Sequence, residues 1–254
     1  MADDKDPATA LVTGAGRRLG RAIALDLARA GWRLGVHCHA SEAEASGLVA
    51  EIEQHGGRAT LLAADLARPE SLALLIEACA KRLGPPTLLV NNAALFAWDS
   101  IATLDEASWD AHLDVNLRAP VFLAQAFAEA LPQDSKGHIV NLLDQKVFRL
   151  NPDFFSYTIS KSGLLAATTM LAQALAPRIR VNAIAPGPVL PGAAQSAEAF
   201  EAECRTTLLG HCVGVDEIIG AIRFLLATPS VTGETIVLDS GQHLAPATVP
   251  TAGP

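Results

Sequence analysis

Short apolar, β-favouring runs alternate along the chain with longer stretches whose apolar positions recur at helical spacing. The first run, 8–13, stops at Gly14 and reads as a buried strand. Residues 17–30 read as a helix ended by Gly31, and 33–39 as a second strand. Ser41 is placed to cap a helix running to about His55, closed by Gly56 and Gly57. A strand at 58–64, a helix at 69–83 stopped by Gly84-Pro85-Pro86, and a strand at 87–90 follow. Residues 106–131 form a long helical region in which Pro120, with no amide hydrogen, predicts a bend. Next come a strand at 138–143, a helix at 155–176, a strand at 179–184 and a Pro- and Gly-rich loop at 186–196. Helices at 197–208 and 215–226 and a strand at 235–238 complete the pattern, with loose tails at 1–7 and 245–254.

The strands are continuous apolar runs rather than alternating ones, as burial on both faces requires. No internal repeat or low-complexity block divides the chain. The pattern predicts one α/β domain, a doubly wound, seven-stranded parallel sheet with helices on both faces. The ligand of such a sheet sits at the carboxyl ends of the strands, where the strand order reverses.

Composition supports one large core: of 254 residues half are hydrophobic and 18% charged. Nineteen basic residues face 27 acidic ones, for a net charge of −8. That argues against a nucleic-acid or membrane-surface partner, while leaving room for an anionic ligand held by local positive charge. Cys38, Cys79, Cys204 and Cys212 show no C-x-x-C spacing and read as reduced thiols; no metal site is expected. The acidic start lacks the apolar core of a signal peptide, and no apolar run approaches a membrane span, so a cytoplasmic protein is expected.

Candidate chemistry begins at Thr13-Gly14-Ala15-Gly16-Arg17-Arg18-Leu19-Gly20, which joins the first strand to the first helix. Glycines there let backbone approach a pyrophosphate, and the helix start offers its amides. The second strand ends as His37-Cys38-His39-Ala40-Ser41, without the acid that would hold a ribose 2′-hydroxyl. Arg17, His37 and Ser41 together suit a 2′-phosphate, which favours NADPH; packing or surface roles for His37 and His39 are the alternative. Asp65, followed by Leu66, is placed to meet an adenine or to cap a helix. Asn91-Asn92-Ala93-Ala94 ends the fourth strand as backbone-fixing amides beside the cofactor or as ordinary turn chemistry. Tyr157, the sole tyrosine, stands four residues before Lys161, on one helical face. A fixed ammonium favours a phenolate and suits the phenol to proton transfer near neutrality.

In order, the Gly-rich turn, Asp65, Asn91-Asn92-Ala93, Asn116, Tyr157-x-x-x-Lys161, Pro186-Gly187 and Thr232-Gly233…Asp239-Ser240-Gly241 resemble the short-chain dehydrogenase/reductase family over 8–244. The resemblance implies a Rossmann domain in which Tyr157 donates the proton and Lys161 holds the nicotinamide ribose and lowers the Tyr pKa. It further implies that Asn116 supports a water relay to Lys161, and that the loop from Pro186-Gly187 through Pro188 and Val189 lies beside nicotinamide and substrate. A homotetramer built on the helices around 106–131 and 155–176 is likewise implied.

Two departures point to one branch. The family turn is T-G-x-x-x-G-x-G, and Arg18 replaces its middle glycine. The usual catalytic Ser lies thirteen residues before the Tyr, where this chain has Asp144. Both resemble the pteridine reductase branch, which includes dihydromonapterin and alternative dihydrofolate reductases. The His-x-His-x-Ser of the second strand resembles that branch's His-Tyr-His-Arg-Ser, with Ala40 in place of Arg. Phe96, five after Asn91, matches its pterin-stacking aromatic. A carbonyl needs a hydroxyl donor aimed at its oxygen, whereas a pterin presents an amino-pyrimidinone and ring nitrogens. Asp144 suits that edge or relays a proton to Tyr157, and Arg18 suits the acceptor edge or a cofactor phosphate. A capping or salt-bridged carboxylate at Asp144 and core packing at Phe96 are the alternatives.

The expected activity is NADPH-dependent reduction of pterin-like C=N bonds, with 188–205 closing as a lid. A carbonyl reductase or alcohol dehydrogenase, and a non-catalytic dinucleotide-binding regulator, are the rival expectations.

Overall fold

The structure is a computed structural model that describes residues 8–192 and 195–245; the expected tails, apart from Ala245, lie outside the described residues. The apolar runs form β1 (Thr9–Val12), β2 (Arg33–Cys38), β3 (Ala59–Ala63), β4 (Pro86–Asn91), β5 (Gly137–Leu142), β6 (Ile179–Pro186) and β7 (Thr235–Leu238). They pair in the order β3-β2-β1-β4-β5-β6-β7, all parallel. Helices α1 (Arg18–Arg29), α2 (Glu42–Gln54) and α8 (Val215–Ala227) cover one face. Helices α3 (Pro69–Leu83), α5 (Ala119–Ala130) and α6 (Phe155–Leu175) cover the other. Alternation of side chains explains the division. Ala10, Val12, Leu88 and Val90 point to the first face, while Leu11 and Leu89 point to the second. A fully buried Leu or Val contributes about 1.5–3 kcal/mol relative to exposure, so a strand covered twice favours an unbroken apolar run.

The order reverses between β1 and β4. Chain leaving their carboxyl ends diverges to opposite faces and opens a crevice there.

Four expectations are corrected. The region 106–131 is α4 (Glu106–Leu113), a π-helical turn (Asp114–Arg118) and α5, rather than one bent helix. Pro120 cannot donate to the Asn116 carbonyl, and the hydrogen-bond ladder widens at that point. Ser41 precedes α2, but its side chain makes no capping bond. Cys204 and Cys212 are joined as a disulfide, not reduced thiols, while Cys38 and Cys79 are free and buried. Cys204 lies in α7 (Ala197–Arg205), which ends short of the expected 208. The loop that follows returns to bring the two Cα atoms within 4.7 Å, a juxtaposition that spacing alone does not reveal.

Candidate active site

The glycine-rich turn is held from both sides. Gly14, at φ +63°, donates its amide to His37 Nδ1 at 3.1 Å. Asn92 Nδ2 donates to the Thr13 carbonyl at 2.8 Å. A side chain at Gly20 would strike the Gly14 carbonyl, so only glycine lets α1 start this close to the turn. Arg17, ahead of α1, makes no side-chain cap. Uncapped helix-start amides are a ready site for an anion. Beside them is a cavity of about 450 Å³ whose lining includes Gly14, Arg17 to Gly20, His37, His39, Ser41, Asp65, Leu66 and Asn92 to Ala94. Gly16 keeps the wall open, since a Cβ there would stand 2.8 Å from Ser41 Oγ. These features fit a dinucleotide, with the pyrophosphate at α1.

His37 lines this cavity as expected, but both of its ring nitrogens are already engaged. Its ring is 1% exposed, with Nδ1 accepting from Gly14 and Nε2 donating to the Ala64 carbonyl at 3.1 Å. Burial pushes its pKa down to about 4, so it is a neutral fastener for the turn rather than a charge for a phosphate. Arg17, His39 and Ser41 keep the expected position. Asp65 accepts from the Ala67 amide at 2.9 Å and also lines the cavity.

A second cavity of about 430 Å³ shares Arg18, Leu19, Asn92 and Ala94 with the first. Phe96, Asp144, Tyr157, Lys161, Pro186, Gly187, Pro188 and Val189 line it, so every expected substrate-side residue meets there. The two lobes have the size of small-molecule sites. Arg18, in the left-handed region at φ +53°, reaches across to donate to the Leu190 carbonyl at 3.2 Å.

At the centre, Tyr157 donates its hydroxyl to Asp144 Oδ2 at 2.9 Å. Lys161 Nζ donates to the Leu142 carbonyl at 2.7 Å and stands 5.9 Å from the Tyr157 ring centroid. Burial, then the facing carboxylate, pushes the phenol well above its ordinary pKa. The resemblance implied the opposite direction. Here the carboxylate takes the phenol proton's hydrogen bond, while the ammonium is engaged with backbone. Burial likewise raises Asp144, against hydrogen bonds from the Lys146 amide and Tyr157. Burial lowers Lys161 to about 8, partly offset by Asp144. The centre therefore holds a protonated phenol, which suits a proton donor.

Asn116 sits in the π turn, fully buried. Its carboxamide grips Leu95 from both sides, at 2.8 and 2.9 Å, and donates to Ser160 Oγ at 3.1 Å. Phe96, 53% exposed, is not core packing. Its ring stacks on Phe154 at 4.5 Å and meets the Tyr157 ring edge-on at 4.7 Å. Lys146 Nζ lies 4.8 Å over Phe154.

Sequence reasoning did not name Gln145, Lys146, Arg149 or Gln242 as cavity residues, and it placed Phe200 and Glu203 only within the expected lid at 188–205. The first three lie in the stretch leading to Tyr157, which was a usable signal. Gln242 arrives from the turn after β7 and carries none.

A family model described as short chain dehydrogenase matches residues 8–202, and the chain belongs to that family as an NADP-dependent short-chain oxidoreductase. Two solved structures, both in complex with NADP, are similar throughout. FolM alternative dihydrofolate reductase 1 from Brucella canis is 45% identical, with TM-score 0.92 and 98% of each chain covered. Its counterpart from Brucella suis is 46% identical, with TM-score 0.92 and 95% of this chain and 97% of that one covered. The 3-oxoacyl-[acyl-carrier-protein] reductase of Synechocystis is 31% identical over 236 residues, 91% of this chain and 95% of the relative.

Proposed function

We propose that the chain reduces a C=N bond of pterin-like substrates of the dihydrobiopterin, dihydromonapterin and dihydrofolate class, using NADPH. The observation that carries this reading is Asp144, which occupies the place of a hydroxyl donor and accepts the Tyr157 hydroxyl at 2.9 Å. The half-exposed Phe96 ring beside it offers a flat wall for a planar heterocycle. The similarity to FolM-type reductases supports the same reading.

NADPH, when bound, supplies the hydride to a ring carbon. Tyr157 gives its hydroxyl proton to the adjacent ring nitrogen, Asp144 orients that hydroxyl, and a proton taken up from solvent restores the phenol. Lys161, charged below about pH 8, stabilises the electron-rich phenol oxygen after transfer. Arg18, Pro188 and Val189 close the substrate side. The segment 188–205, of which 193 and 194 lie outside the described residues, acts as the lid, with Phe200 and Glu203 of α7 on the cavity wall. Tetramer formation would cover Phe122 of α5 and Met170 of α6, 50% and 66% exposed, and light scattering of the purified chain tests it.

A carbonyl reductase is the second reading, favoured by the 31% identity to an oxoacyl reductase. The test is NADPH oxidation over dihydrobiopterin, dihydromonapterin, dihydrofolate and ketones, with wild type beside Tyr157→Phe and Asp144→Ser. Pterin turnover that disappears in the first variant and falls in the second supports the proposal. Turnover of ketones alone moves the assignment to the second reading. Tight NADPH binding without any turnover indicates a non-catalytic regulator.

A further inference from the structure

Behind Tyr157 lies a polar cluster that the proposed chemistry does not use. Asp99, His112 and Ser156 are 3%, 0% and 0% exposed. They come from the loop after β4, from α4 and from the first turn of α6. Helix α6 has no cap of its own, because Phe154 precedes it in a left-handed conformation, φ +55°, without a capping side chain. Asp99 supplies the cap from across the chain. It accepts the Ser156 amide at Oδ1, 3.1 Å away, and the Ser156 hydroxyl at Oδ2, and its carbonyl faces the Phe155 amide at 3.3 Å.

The other half runs through His112. Its Nε2 accepts the Ala97 amide at 3.2 Å, which assigns the proton to Nδ1 in the neutral ring. That Nδ1–H faces Ser156 Oγ at 2.7 Å and the Ser108 carbonyl at 3.0 Å. Every proton has a place: His112 donates to Ser156, and Ser156 donates to Asp99. A closed, buried set of this kind is costly to break at any member.

Its two ends are the residues that matter for the reaction. Ala97 adjoins Phe96, and Ser156 adjoins Tyr157. We infer that Asp99, His112 and Ser156 are positioning residues, which set the Phe96 ring against the Tyr157 ring and so fix the slot for the substrate ring. The inference deepens the pterin reading, resting on it for the identity of the stacked ligand but not for the network itself.

His112→Asn and His112→Gln test it. Asn keeps a donor near the Nδ1 position and loses the acceptor for Ala97; Gln reaches far enough to restore that acceptor. In His112→Asn the KM of the substrate wild type reduces rises about tenfold, the value of one lost buried hydrogen bond. The kcat and the NADPH Kd stay within about threefold, and His112→Gln recovers most of the KM. Ser156→Ala lowers kcat about tenfold with NADPH affinity kept. Hydrogen exchange needs no substrate. The amides of 95–100 exchange about tenfold faster in His112→Asn than in wild type, while β4 does not change. Unchanged exchange in that loop, a Gln variant no better than Asn, or equal losses for NADPH and substrate would overturn the inference. Wild type inert toward pterins but with the exchange difference present would instead overturn only the substrate reading.

Discussion

Tyr157 illustrates how a residue's role depends on its neighbours. The Tyr-x-x-x-Lys spacing showed the pair, and the structure shows that Asp144 rather than Lys161 bonds the hydroxyl. Replacing Tyr157 with Phe removes a general acid and is expected to lower kcat by about 10²–10⁴, with NADPH affinity unchanged in a fluorescence titration. The buried Lys161 predicts a pH limb. Its ammonium is present below about pH 8 and lost above it, while the raised phenol stays protonated. The rate constant kcat/KM should therefore fall above about pH 8, and a profile flat to pH 10 would remove Lys161 from the chemistry. At His37 the residue was legible but its role was not, because a histidine beside a phosphate site and a histidine fastening a turn look alike in sequence.

Elements place these residues. Tyr157 is presented by the first turn of α6, Asn116 by the π turn ahead of Pro120, and Asp144 by the chain leaving β5. Alanine at Gly20 would push α1 off the Gly14 carbonyl. Loss of measurable NADPH binding with a Tm lowered by several degrees is expected, since overpacking costs about 1–3 kcal/mol. The Cys204–Cys212 disulfide closes a short loop between α7 and α8. Loops of this size are worth about 2–3 kcal/mol. Reduction, or Cys204→Ser, should lower Tm and raise the substrate KM through α7, leaving NADPH affinity intact. Equal Tm values with and without reductant would show that the link does not hold the lid.

At the scale of the whole molecule, the buried sheet makes stability depend on pH. Burial pushes His37 down to about 4 and His138 to about 3. An unfolded histidine binds its proton near pH 6.5. Below that value the unfolded chain carries more protons, so this stability is complete above about pH 6.5 and lost as pH falls toward 4. Each histidine should cost about 2 kcal/mol between pH 7 and 5. Urea unfolding at both values checks the slope, which should be shallower in His138→Asn. Among the described residues no helix is long and apolar enough to cross a membrane.

The sequence by itself determined the seven strands, the sheet's two covered faces, the cofactor end of the crevice and the Tyr157, Lys161 and Asp144 centre. Those follow from local periodicity, from motifs whose members have fixed spacing and, for Asp144, from the family resemblance. Only the tertiary structure decided that Asp99 caps α6, that His112 ties Ala97 to Ser156, that Cys204 meets Cys212, and that Tyr157 is held as a phenol. Each of these joins residues from separate elements, and their burial and hydrogen-bond partners exist only after the chain has packed.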